Sequence, residues 1–136
     1  MRTRTSTWFE CKIRYDKMME DGMQKKITEL YVVDALSFTE AESSIIDEMS
    51  AYISGEFEVR DIKKAPYGEI FFSEDASADR FFKAKLQFIT IDEKTEKEKR
   101  SNVNYLVHAN TFNQAVANID KVMGTTAIDY VIASVA

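Results

Sequence analysis

Hydrophobic and polar side chains alternate along several stretches of this chain, and two other stretches carry apolar residues three and four positions apart. Alternation at every second residue is typical of a half-buried strand, and it predicts strands over 7–15, 25–35, 56–64, 103–109 and 126–135, with another starting at Arg80. The wider spacing predicts two amphipathic helices, which begin after Ser37 and after Thr111. Together these elements predict an α+β fold.

One eleven-residue stretch occurs twice, as Tyr31–Ala41 and again as Tyr105–Ala115, displaced by 74 positions with five identical residues. The strand before each copy also matches, and the strand, loop, strand, cap, helix and final strand recur in the same order. We therefore predict an internal ββαβ duplication within a single domain over 1–136. The copies lie at about 7–64 and 80–136, and a hairpin strand at 69–73 joins them.

The duplication is compatible with three arrangements of the sheet. We expect one largely antiparallel sheet with the two helices on one face, the copies being related by a pseudo-twofold axis. Ferredoxin-like packing is a close alternative, because strand–helix–strand units interleave in that fold. Two separate small sheets, one for each copy, form the third arrangement.

Each predicted helix starts with the spacing of a capping box. Ser37 precedes Glu40 by three positions, and Thr111 precedes Gln114 by three. In a capping box the hydroxyl accepts a hydrogen bond from the third helical N–H, while the Glu or Gln side chain returns to the N–H of the capping residue. The spacing therefore predicts that both halves of the motif form at each helix.

Composition and charge narrow the classes of function. The formal net charge of −5 and a pI near 5.0 argue against wholesale coating of a polyanion such as DNA. The one cysteine excludes an intramolecular disulfide framework. No apolar stretch reads as a secretory signal or reaches the length needed to cross a bilayer, so we expect a cytoplasmic protein that does not associate with membranes.

Candidate catalytic and cofactor sites are sparse. The four glycines are not grouped, which excludes a phosphate-binding loop, and a single histidine excludes paired-histidine metal sites. Asp16, Glu20 and Asp21 lack the spacing of a calcium loop and indicate a solvated hairpin tip. Cys11 falls on the apolar phase of its strand, as expected for an inert core thiol. We therefore expect no enzyme activity and no cofactor.

One pair of ionisable residues is of interest because the two copies differ there. Asp34 occupies the position in the first copy that His108 occupies in the second. If a pseudo-twofold axis passes near these strands, the two side chains meet as an Asp–His pair, an arrangement used in general base catalysis. A surface histidine on an open sheet face is the simpler interpretation, since no nucleophile accompanies the pair.

The outward phase of two predicted strands mixes basic and aromatic residues. Rings stack bases and cations hold phosphates on single-stranded nucleic-acid platforms, so this face is a candidate interaction surface. The simpler interpretation is that the rings cover a sheet edge or a dimer interface while the lysines keep it soluble. The candidate residues are Trp8, Lys12 and Arg14 from the first copy, and Phe81, Lys83 and Lys85 from the second.

The stretches Trp8–Tyr15 and Val33–Glu42 carry a resemblance to a known family. The chain resembles an uncharacterised family of small proteins from Bacteroides-type bacteria, some of them in phage or other mobile elements. The resemblance extends over most of the chain and implies a bacterial, cytoplasmic setting. It brings no activity, ligand or catalytic residue to these positions.

Two functional hypotheses follow from the sequence. The first is a non-enzymatic interaction or ligand-binding module that self-associates, with another copy or another protein as partner. The alternative is binding of single-stranded nucleic acid through the basic and aromatic face.

Overall fold

The structure is a computed structural model that describes residues 1–136, and it consists of eight strands and two helices. Alternating side chains form the strands, and the two stretches with helical spacing form the helices, as the sequence predicts. The elements in chain order are β1 Arg2–Thr5, β2 Trp8–Met18, β3 Gln24–Asp34, α1 Phe38–Tyr52, β4 Phe57–Lys64, β5 Glu69–Phe72, β6 Arg80–Ile91, β7 Glu98–Ala109, α2 Phe112–Met123 and β8 Asp129–Val135.

The α+β class is confirmed, and the strands form two sheets. Three strands form one sheet in the order β3-β2-β4, and five form the other in the order β1-β5-β7-β6-β8. The single continuous sheet expected from the sequence is therefore wrong, and the arrangement of one sheet for each copy is the one observed. The physical reason is that β4 pairs with β2 and not with β5, whose own partners are β1 and β7.

The chain divides into two compact units. The three-stranded unit comprises Ser6–Ala65, and the five-stranded unit comprises Met1–Thr5 together with Pro66–Ala136. The chain thus begins in the five-stranded unit with β1, forms the three-stranded unit, and returns through Pro66. The expectation of a single domain over 1–136 stays a prediction.

Each unit contains a ββαβ module with the same topology. The module β2-β3-α1-β4 spans Trp8–Lys64, and the module β6-β7-α2-β8 spans Arg80–Val135. In both modules the first strand is central, flanked by the second and the last. The registers also agree, because Phe9 is paired with Val33 and its counterpart Phe82 with Val107.

The two modules even share an irregularity of pairing. The register of β2 against β4 shifts between Lys12 and Ile13, and that of β6 against β8 shifts between Lys85 and Leu86. Both sites are separated by the same displacement of 73 positions as the strands themselves. A bulge locally bends and twists a strand, so the two central strands are shaped alike.

The cores of the two units are built from equivalent positions. In each, the central strand and the strand after it present small and branched residues to the buried stripe of the helix. The equivalent pairs are Cys11 and Ala84, Ile13 and Leu86, Val33 and Val107, Ala35 and Ala109, Ala41 and Ala115, Ile45 and Ile119, and Met49 and Met123.

The helix caps form the hydroxyl half of the predicted capping box. Ser37 Oγ accepts from Glu40 N at 3.1 Å, and Thr111 Oγ1 accepts from Gln114 N at 3.1 Å. The returning half differs in both helices. Glu40 Oε2 accepts from Leu36 N at 3.0 Å, one residue before the cap, while Gln114 Nε2 donates to Asn118 Oδ1 at 2.9 Å.

The strand at 69–73 has a different role from the one the sequence indicated. It does not form a hairpin, because β5 lies between β1 and β7, antiparallel to the first and parallel to the second. Phe71 from this strand is 1% exposed and belongs to the core of the five-stranded unit. β1 itself was not predicted, since its Arg–Thr alternation contains no apolar residue.

Candidate functional site

The predicted basic and aromatic residues divide between the two units. Trp8, Lys12 and Arg14 lie on β2 of the three-stranded unit. Trp8 is 5% exposed, so its ring is not presented for stacking, in contrast to the expectation from the sequence. Burial is the usual outcome for so large an apolar surface. Lys12 is exposed and is paired across the strands with Asp61, which reduces the positive charge of this face.

In the five-stranded unit, four adjacent strands contribute one side chain each to a row on the helix-free face. This aromatic row consists of Arg2 on β1, Phe72 on β5, His108 on β7 and Phe81 on β6. The Arg2 guanidinium carbon lies 5.0 Å from the centroid of the Phe72 ring. The Phe72 and His108 rings meet edge to face at 6.5 Å, and Phe81 stacks on His108 at 4.7 Å with an interplanar angle of 22°.

Accessibility differs along this face. Phe81 is 51% exposed, whereas Ile70 and Leu106, farther along on neighbouring strands, are 3% and 5% exposed. The face is therefore not an open platform over its whole width. Its accessible aromatic group is Phe81, whose ring is supported on one side by the His108 imidazole.

His108 has defined partners in the five-stranded unit. Its Nδ1 accepts a hydrogen bond from Ser73 N at 3.3 Å, so the neutral ring carries its proton on Nε2. Asp34 ends β3 in the three-stranded unit, at the position equivalent to His108. The two residues thus belong to different units, and their meeting as a catalytic pair stays a prediction.

The two lysines of the predicted interaction face follow Phe81 along β6. Lys83 and Lys85 are both exposed, and they alternate with the core residues Ala84 and Leu86. A cleft of about 240 Å³ lies beside them, lined also by Asn104 and Ser134. The five-stranded unit thus carries a supported aromatic ring and two ammonium groups on β6, with a small cleft beside the two lysines.

The outer edge of β3 also distinguishes the three-stranded unit from the five-stranded unit. β7, its counterpart, is paired on both sides, with β6 and with β5. β3 is paired with β2 on one side only, over all of Gln24–Asp34. We call the other side of this strand the β3 edge. Leu30 lies at its middle and is 51% exposed.

A carboxylate and two phenols form a polar cluster at one end of the three-stranded sheet. The Tyr15 hydroxyl donates to Glu29 Oε1 at 2.6 Å, and the Tyr31 hydroxyl donates to the same oxygen at 3.1 Å. The hydrogen bond to Glu29, followed by burial, raises the pKa of Tyr15 to about 12. Burial and then the same carboxylate raise the pKa of Tyr31.

The equivalent cluster in the other module is largely apolar. Phe88 and Val103 stand where Tyr15 and Glu29 stand in the first. The ββαβ fold therefore does not require the acid. The signal for this cluster in the sequence is an acidic residue on the apolar phase of a predicted strand, at the position where the second copy has valine.

We expect the tyrosine pKa values to depend on Glu29. Because the folded pKa of Tyr15 lies above the ordinary value of 10.0, the neutral phenol is favoured in the folded state. This contribution to stability is complete below pH 10 and is lost as the pH rises towards 12. Glu29→Gln removes the charge, so the pKa of Tyr15 and of Tyr31 should fall. Ring-carbon NMR during an alkaline titration measures both.

Tyr130 is the internal control for that titration. Its hydroxyl donates to Asp120 Oδ1 at 2.6 Å in the five-stranded unit, and this bond, followed by burial, raises its pKa to about 12. Glu29→Gln should leave the Tyr130 titration in place. Unchanged pKa values for Tyr15 and Tyr31 in that variant would contradict the assigned hydrogen bonds.

The side chains form neither a cluster that could hold a metal ion nor an accessible thiol. No group of three or more His, Cys, Asp or Glu side chains is placed to hold a metal ion. Asp16, Glu20 and Asp21 lie at the exposed end of the β2–β3 hairpin. Cys11 is 0% exposed, and burial raises the pKa of its thiol to about 11, which keeps it protonated at neutral pH.

None of the helices combines the length and the apolar character that crossing a bilayer requires.

Comparison with known proteins adds a family and no activity. The family model described as Domain of unknown function (DUF4494) matches residues 7–136. No curated protein matches the chain, and no solved structure matches it.

Proposed function

We propose that this chain, which belongs to the family of domains of unknown function DUF4494, is a non-enzymatic binding module that self-associates through the β3 edge. The partner is another copy or another protein. The observation that carries the proposal is the difference between the modules, because the edge that β5 covers beside β7 is open beside β3. An open edge presents a row of backbone donors and acceptors to an incoming strand.

The side chains of β3 favour pairing over protection. Natural edge strands are often guarded by charges along their length. β4, the opposite edge of the same sheet, follows this rule with Glu58, Arg60, Asp61, Lys63 and Lys64. The charges of β3 lie mainly at its ends, whereas the segment Ile27–Val33 holds β-prone residues with Glu29 as its only charge.

Sedimentation velocity over a wide range of protein concentration tests the proposal. The protein should associate reversibly, and Leu30→Lys, which places a charge at the middle of the β3 edge, should shift it to monomer. Ile91→Lys is the matched control, because Ile91 is 71% exposed and ends β6, in the five-stranded unit. A protein that stays monomeric at every concentration would refute self-association, and a Leu30→Lys dimer would refute the β3 edge as its site.

Single-stranded nucleic-acid binding is the second candidate, and the aromatic row supports it. Phe81 is half exposed and backed by His108, with Lys83 and Lys85 following on the same face of β6. Stacking on a held ring and contacts to phosphate are the two elements of such sites. The buried ring of Trp8 and the net charge of −5 restrict this surface to the five-stranded unit and make it weaker than the face expected from the sequence.

Fluorescence anisotropy with a labelled single-stranded oligonucleotide tests this candidate. Binding should weaken as salt rises, since lysine–phosphate contacts release counterions. Phe81→Ala and Lys85→Glu should each reduce it, while Phe112→Ala should not, because Phe112 is similarly exposed at 52% but begins α2. Absence of binding at low salt, or equal binding by Phe81→Ala, would eliminate the row as a nucleic-acid site.

We further propose a cytoplasmic location in a bacterial host, without a cofactor. The single buried thiol supports a reducing compartment, because the fold does not depend on a disulfide. An origin in Bacteroides-type bacteria and their mobile elements rests on the sequence resemblance alone. Localisation of a tagged copy in a bacterial cell checks the compartment.

A further inference from the structure

We infer that the strand received by the β3 edge is β3 of a second copy, paired antiparallel in the register that places Leu30 opposite its own counterpart. The inference rests on the proposed self-association and adds the partner strand and its register. A twofold axis perpendicular to the sheet at Leu30 makes each residue of β3 face the residue equally far on the other side of Leu30. The two three-stranded sheets then continue into one, with both α1 helices on the same side.

On the helix-free face this register is self-complementary in charge. Alternate residues of β3 point to that face, with Lys26 near one end and Asp34 at the other. The twofold axis sets Lys26 opposite Asp34 of the second copy, twice in each dimer. Thr28 faces Val32, and Leu30 faces Leu30, so the exposed apolar side chain at the centre becomes covered. Opposite-charge and apolar cross-strand pairs both stabilise a sheet.

On the helix side, the same register repeats neighbours that already occur inside the protein. In the five-stranded unit, β5 sets Glu69 beside Tyr105 and Phe71 beside Val107. The equivalents of Tyr105 and Val107 in the other module are Tyr31 and Val33. The dimer sets Glu29 of the second copy beside Tyr31, and Ile27 of the second copy beside Val33. The dimer thus gives Tyr31 a glutamate neighbour and Val33 an apolar neighbour, as β5 does for Tyr105 and Val107, although β5 runs parallel to β7 and the second β3 runs antiparallel.

Neighbouring registers with the same faces lack this match. Centring on Glu29 places two Glu29 carboxylates directly opposite each other, and like charges in that position are destabilising. Centring on Tyr31 leaves Lys26 opposite Leu36, which lies outside β3, and so shortens the pairing. Leu30 is therefore the centre that combines charge complementarity with a long overlap.

Cysteine cross-linking tests the register directly. Residues opposite each other in an antiparallel pair have Cα atoms about 4.5–5.5 Å apart, within the range of a disulfide. Leu30→Cys should therefore cross-link to itself on mild oxidation. The buried native thiol, Cys11, should not interfere because it is 0% exposed.

Single variants beside Leu30 provide the matched controls. Thr28→Cys should not cross-link to itself, because the two copies of residue 28 lie four residues apart, about 13 Å along the strand. Val32→Cys alone should behave in the same way. A mixture of Thr28→Cys and Val32→Cys should cross-link, since those two positions face each other.

Sedimentation of the reduced variants separates the possible failures. If reduced Leu30→Cys associates but does not cross-link, or if Thr28→Cys cross-links to itself, the register is wrong while self-association stands. If the unsubstituted protein and the reduced variants are monomeric throughout, both the inference and the proposed self-association are refuted.

Discussion

Replacing Phe71 by alanine is expected to lower the free energy of unfolding of the five-stranded unit by about 3–5 kcal/mol, the usual loss for a buried phenylalanine. The side chain is 1% exposed, and its ring centroid lies 4.7 Å from that of Tyr105. It comes from β5, a strand of four residues. So short a strand has few other side chains to anchor it between β1 and β7. Removal of the ring leaves a cavity under α2 and weakens the docking of β5.

Urea denaturation monitored by circular dichroism measures the loss, and hydrogen exchange locates it on β5 and β7. Phe81→Ala is the matched control, because its ring is 51% exposed and carries little of the core. The control should lose less than about 1 kcal/mol, as is usual for a surface substitution. A loss for Phe71→Ala no larger than that of the control would show that β5 does not help to hold this core.

The same strand shows why the sequence predicted the modules but not their sheets. Alternation in β2, β3, β6 and β7 reveals which side chains are buried, and that is a local property of each strand. Which strands are neighbours is decided by hydrogen bonds between distant segments, on which alternation carries no information. The strand predicted at 69–73 corresponds to β5, yet nothing local indicates a parallel partner in β7.

The candidate sites show the same division between local and long-range information. The alternation of Phe81, Lys83 and Lys85 with core residues was predicted correctly, since it depends on β6 alone. The contacts of Phe81 with His108, and of Phe72 with Arg2, join four strands and required the sheet order. The β3 edge likewise can be recognised only from the sheet order, because β5 covers the equivalent side of β7.

The duplication is the part of the fold with the most direct energetic consequence. Ile45 on α1 and Ile119 on α2 are equivalent, and both are 0% exposed. Each lies over a central strand that presents Ile13 in one unit and Leu86 in the other. Because Ile45 and Ile119 have equivalent neighbours, alanine at either position should remove equivalent contacts and leave a cavity of similar size.

We therefore expect Ile45→Ala and Ile119→Ala each to destabilise its own unit by about 2–5 kcal/mol, with similar values for the two. Trp8, the single tryptophan, reports on the three-stranded unit by fluorescence, and hydrogen exchange follows both units. Ile46→Ala is the matched control, since Ile46 is the next residue on α1 and is 39% exposed. A large loss at one isoleucine with a control-sized loss at the other would mean that the modules share a topology without sharing a core.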